Sequence, residues 1–152
     1  MKYIHFFISV IVHKFWVLKY ITRFVFQIIG KGLVHDLSKF HKDEFFKLSK
    51  VYPELFNVKY GTKEYEQLLK DLKLPLLHHY KCNRHHLEYF SNNIRGMNLL
   101  DLIELYCDWL SSIRKNKNGD IFKSINYNVR RFKISNDLKA ILTNQATKDT
   151  PK

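Results

Sequence analysis

Apolar residues recur along this chain at spacings of three and four, and polar residues fill the positions between. That period belongs to an amphipathic helix, in which side chains about 100° apart share a face. The first such stretch is predicted from Tyr3 to Ile29, ended by Gly30-Lys31-Gly32. A short helix carries Leu33 to Phe40, and Asp43-Glu44 opens another that runs to about Lys50. Val51 to Thr62, with Pro53 and Gly61, reads as loop, followed by a helix over Lys63–Leu72. Pro75 begins the next segment, Leu76–Phe90, and Ser91–Gly96 reads as loop. Asn98 is a candidate cap for a helix over Leu99–Arg114. Lys115–Asp120 is a polar turn, Ile121–Leu142 one or two short helices, and Asn144–Lys152 a frayed polar tail.

Composition supports an all-α fold. Only 5 Gly and 3 Pro occur in 152 residues, too few for the many turns of a sandwich or barrel. With 45% hydrophobic residues the chain can fill a core, so a disordered class is excluded. We expect one helical-bundle domain over residues 1–143 and a tail over 144–152. Cys82 and Cys107 match no metal-binding spacing and no disulfide framework, which points to a reducing, cytoplasmic compartment. In the N-terminal stretch, His5, His13, Lys14, Lys19, Arg23 and Gln27 interrupt the apolar residues. No transmembrane span is therefore expected, and a buried core helix is preferred over a membrane-surface one. The net charge of +12 suits an anionic partner, whether a phosphorylated small molecule, nucleic acid or lipid.

The candidate chemistry lies in the histidines. His13 falls beside Val10 and Val17, away from the Lys19–Arg23 stripe, and is expected to point inward. His35 and Asp36 are adjacent and can present imidazole and carboxylate from one helix edge, with Lys39 one turn on. His78, His79, His85 and His86 crowd one segment, and imidazole is a common ligand of divalent transition metals. Read as one helix, that segment aligns His79 with His86 and His78 with His85. Asp101, Glu104 and Asp108 share an arc of the apolar Leu99–Arg114 helix, where an acidic side chain needs a partner. Asp101 has a ready structural role near the Asn98 cap, and Glu104 one as an ion-pair partner. Asp108, beside Trp109, is the better ligand candidate.

In order, His13, His35–Asp36, His79, His85–His86 and Asp108 resemble the metal-ligand pattern of HD-domain phosphohydrolases. His35-Asp36-Leu37-Ser38-Lys39 is similar to the segment of their two-metal branches that carries a lysine after the His-Asp pair. The chain also resembles an uncharacterised family of small proteins from phages, large DNA viruses and bacteria, over about His13 to Arg114. That likeness rests on His13-Lys14, His35 to Phe40 with Glu44-Phe45, Asn83 to Tyr89, and Glu104 to Trp109. That family has no assigned activity, and it is the HD-domain resemblance that implies a helical bundle around one or two divalent ions, with Mn, Fe, Mg, Co and Zn not distinguished, and a host-cell cytoplasmic location if viral. It implies hydrolysis of a phosphate mono- or diester, such as a nucleotide, by metal-activated water. Lys39 and Glu88 would act in catalysis, Lys39, Asn83 and Arg84 would bind substrate, and Glu44 and Glu104 would support the ligands from behind. The Gly-Tyr-Pro element of cyclic-dinucleotide phosphodiesterases is absent, so their substrate does not carry over. Two alternatives remain open: a di-iron oxygenase of the HD type, and a basic nucleic-acid- or partner-binding domain with a structural metal.

Overall fold

The computed structural model describes residues 2–58, 62–115 and 119–150. Every regular element among them is helical, as expected: seven α-helices and three short 3-10 turns, with no strand. The chain divides into two compact units between His35 and Asp36.

The first unit is one long helix, α1 (Lys2–Val34). It runs through Gly30 and Gly32, which were expected to end it. A glycine inside a helix costs about 1 kcal/mol relative to alanine, too little to stop a helix without a competing turn. None of the described α1 side chains is buried, which corrects the expectation of a core helix. By length and composition α1 is apolar enough to cross a membrane.

The second unit opens with a 3-10 turn (Leu37–Phe40), then α2 (Lys42–Asn57), α3 (Lys63–Asp71) and α4 (Lys73–Cys82). The expected helix over Leu33–Phe40 is absent, because Asp36 sits in the left-handed region at φ 59° and breaks the chain there. α2 runs through Pro53 to Asn57 and is longer than expected, so residues 51–57 are helix where loop was predicted. Asn57 Nδ2 donates to the Pro53 carbonyl at 2.9 Å, satisfying an acceptor of the last turn. Gly61, part of the same predicted loop, lies outside the described residues. The predicted 63–72 helix is present, closed at its start by Thr62.

Short 3-10 turns at Leu87–Tyr89 and Asn93–Gly96 lead to α5 (Leu99–Arg114), α6 (Ile121–Phe132) and α7 (Asn136–Asp149). α5 begins where predicted. Asn98 accepts from the Asp101 amide at 2.9 Å while Asp101 accepts from the Asn98 amide at 3.1 Å, a reciprocal cap. Asp120 and Ser135 cap α6 and α7. Leu105 and Trp109 of α5, Ile121 and Ile125 of α6, and Leu142 and Ala146 of α7 form the buried core with Leu87, Tyr106 and Ile134. Steps of four residues line up these positions on each helix. The same spacing carries α7 past residue 143: Ala146 is fully buried, and the Tyr106 hydroxyl donates to Asp149 Oδ2 at 2.7 Å. Residues 144–149 are thus helix, not a frayed tail.

Candidate metal centre

The four-histidine segment does not stay helical. α4 stops at Cys82 and the chain turns at Asn83, whose side-chain amide donates twice. Asn83 Nδ2 donates to Ser38 Oγ at 2.7 Å and to the His79 carbonyl at 2.8 Å, and lies 3.1 Å from His79 Nδ1. The turn folds His85 and His86 back onto His79, and Leu87, buried in the core, anchors the returning chain. His79 and His86 meet, as the seven-residue spacing suggested, but through a chain reversal and not along one helix face.

Asp36, His79, His85 and His86 bring one ligand atom each to within 4.8 Å of one another. Asp36 Oδ1 lies 3.3 Å from His79 Nε2 and 3.4 Å from His85 Nε2. His79 Nε2 lies 2.9 Å from His86 Nε2. Neighbouring donors on one ion with bonds of about 2.0–2.2 Å sit roughly 2.8–3.6 Å apart, from right-angle to tetrahedral geometry. The three measured separations fall in that range.

Two buried carboxylates set the histidine tautomers. His79 Nδ1 lies 2.9 Å from Glu44 Oε2, and His85 Nδ1 lies 3.1 Å from Glu104 Oε1. A carboxylate accepts, so each ring carries its proton on Nδ1 and turns the Nε2 lone pair toward Asp36 Oδ1. Electron-pair donors facing each other at this range need a proton or a cation between them. Glu44 is fully buried and also takes His78 Nδ1 at 2.6 Å. Two imidazole donors offset the cost of burying that charge.

The remaining electrostatics favour a cation in the same place. Burial alone would raise the Asp36 carboxyl, but a proton or cation shared with His79 and His85, together with the Lys39 ammonium, holds it well below the usual range. Burial, with His85 and His79 alongside, lowers His86 to about 3, so its ring is neutral at pH 7. Asp36 holds the left-handed conformation described above, which Asp and Asn adopt more readily than other non-glycine residues.

The other sequence candidates fall in several places. An Asp108 carboxylate oxygen lies within 4.8 Å of one from Asp36. Lys39 Nζ pairs with Asp36 Oδ2. Arg84, expected to bind phosphate, is committed to the buried Asp101 at 3.0 and 3.4 Å. Glu88, expected to act in catalysis, accepts from Arg131 at 2.8 Å. Asn83 is buried in the turn it holds. His35 ends the first unit, and His13, expected to point inward, is exposed on α1. Residues that the sequence reading passed over are Ser38, 3.0 Å from His79 Nδ1, and Arg131. For Ser38 the available signal was its place inside the His35–Lys39 motif. Arg131 stands 43 residues from Glu88, and nothing local connects them.

This constellation, an all-helical chain with three imidazoles and a carboxylate converging on one point, defines a candidate metalloprotein. The chain belongs to a family of unknown function (DUF5662), whose model matches residues 2–148. No curated protein and no solved structure matches it.

Proposed function

We propose that this protein is a metal-dependent phosphohydrolase of the HD type, acting on a phosphate mono- or diester such as a nucleotide. The observation that carries the reading is the joint aim of His79 Nε2 and His85 Nε2 at Asp36 Oδ1, each ring held from behind by a buried carboxylate. Asp36, His79, His85 and His86 would hold the ion, with Asp108 beside them. A bound divalent ion supplies Lewis acidity and lowers the pKa of coordinated water. Glu44 and Glu104 fix the ring orientations, which keeps the donor set assembled without rearrangement. Lys39, about half exposed and paired with Asp36 Oδ2, would be the cation that meets a phosphoryl oxygen. Asn83 holds the turn that presents His85 and His86, so its part is positioning.

The test is metal analysis of the purified protein, then hydrolysis of a nucleotide panel with added Mn²⁺, Mg²⁺, Fe²⁺ or Co²⁺. His85→Ala is expected to lose both metal and turnover, whereas Lys39→Ala keeps the metal and slows turnover. Metal-loaded protein that consumes O₂ and hydrolyses no phosphate ester would replace this reading with an oxygenase.

One observation favours a second reading. Arg84 and Glu88 are engaged in ion pairs with Asp101 and Arg131, which leaves fewer free groups for phosphate chemistry. In that reading the metal is structural and the basic surface binds nucleic acid. Nucleic-acid binding that survives His85→Ala, with no hydrolysis in the wild type, is its signature.

A further inference from the structure

We propose that α1 is an interfacial helix that lies in the plane of an anionic phospholipid bilayer. The starting point is its exposure. Large apolar side chains along it face solvent, among them Phe7 at 65%, Phe15 at 61%, Leu18 at 63% and Phe26 at 68%. Soluble surfaces rarely carry a continuous apolar patch of that length, and where they do it marks an interaction site.

Angular order identifies the occupant. At 100° per residue, the arc centred near Leu18 collects Phe7, Ile11, Phe15, Val25 and Ile29, and it spans more than half the circumference. Lys14, Thr22 and Gly32 are the residues that interrupt it, and the lysine stem is long enough to carry its ammonium out of an apolar layer. The opposite arc holds Lys2, His5, Lys19, Arg23, Gln27 and Lys31, with Phe6, Val12, Phe24 and Val34 among them. Trp16 and Tyr20 stack on that side with centroids 6.2 Å apart, and the Lys19 ammonium lies 4.5 Å from the Trp16 ring. Such amphipathic rings suit the headgroup level of a bilayer.

α1 contains no Asp or Glu, and the chain carries a net charge of +12. Two copies would therefore repel each other along this helix, whereas an anionic lipid surface attracts it. A two-stranded coiled coil would also cover only a narrow seam, not an arc of this width. Lys2, Lys19, Arg23 and Lys31 lie on the polar arc and are spread from one end of the helix to the other, while Lys14 alone stands on the apolar arc. A spanning orientation would put Lys19 as well as Lys14 in hydrocarbon, whereas the in-plane one asks only Lys14 to reach out of the apolar layer. An in-plane orientation keeps the basic residues of the polar arc in the headgroups, as amphipathic surface helices do.

The experiment is co-sedimentation of the full-length protein with vesicles of phosphatidylcholine alone or mixed with phosphatidylglycerol, followed by oriented circular dichroism. The expected result is binding to the mixed vesicles that weakens as salt rises, with α1 in the membrane plane. Lys19→Gln with Arg23→Gln should weaken partitioning about 25-fold, from roughly fivefold per basic side chain near an anionic surface. Phe15→Ser with Leu18→Ser should abolish binding at either composition. These side chains are exposed, so an unchanged far-UV spectrum of each variant separates lost binding from lost folding. Three results would overturn the proposal: no binding to mixed vesicles, salt-independent binding with the helix along the membrane normal, or a dimer that buries Phe15 without lipid.

Discussion

α1 and α5 look alike in sequence: each is an apolar helix with most of its polar residues on one side. The structure treats them in opposite ways. No described α1 residue is buried, while α5 buries Asp101, Glu104, Leu105, Tyr106 and Trp109. The polar arc explains the difference. On α1 it holds Lys, Arg, His and Gln and no carboxylate. On α5 it holds carboxylates with partners elsewhere in the second unit: Arg84 for Asp101 and His85 for Glu104. Apolar periodicity therefore announces a face to be covered without saying what covers it. The polar residues opposite carry that information.

The contrast gives a graded set of expectations. The largest effect should follow Trp109→Ala, which removes a buried aromatic from the core and should cost about 3–5 kcal/mol in urea unfolding. A loss below 1 kcal/mol would mean that α5 is no more of a core element than α1. Next, Glu44→Gln removes the charge that holds His78 and His79 by their Nδ1 protons. Metal affinity, measured by competition with a chromophoric chelator, should fall about 10–100-fold. An unchanged affinity would reduce the buried carboxylate to a packing role. Asn98→Ala breaks the reciprocal cap of α5 and should cost about 1 kcal/mol. The smallest effect belongs to α1: Phe15→Ala should move stability in solution by no more than about 0.5 kcal/mol. A larger loss would show that α1 is covered in solution.

What the sequence made legible was mostly local. The Asn98 cap and the span of α5 could be read because a cap and a four-residue period involve neighbours only. The absence of sheet followed from the scarcity of turn residues. Glu104 invited a partner because an acidic residue on the apolar arc of α5 needs one, and its neighbour is His85. The breaks were less visible. His35–Asp36 was read as lying on a helix, yet Asp36 adopts a positive φ and turns its carboxylate to His79 and His85, more than 40 residues on. The chain reversal at Asn83 depends on Ser38, 45 residues away. Arg84 and Glu88 look free in sequence because their partners stand 17 and 43 residues off. Pairings over such separations leave no periodic trace, so a charged residue near a motif is easily taken for part of its chemistry.

The central claim is that Asp36, His79, His85 and His86 form one ion's ligand set. The most direct measurement is X-ray absorption at the metal edge of the purified, metal-reconstituted protein. The account predicts nitrogen and oxygen scatterers at about 2.0–2.2 Å with the multiple-scattering signature of imidazole, lost when His79 and His85 are both replaced by Ala. A protein that takes up no metal, or a bound metal without imidazole in its shell, would contradict it.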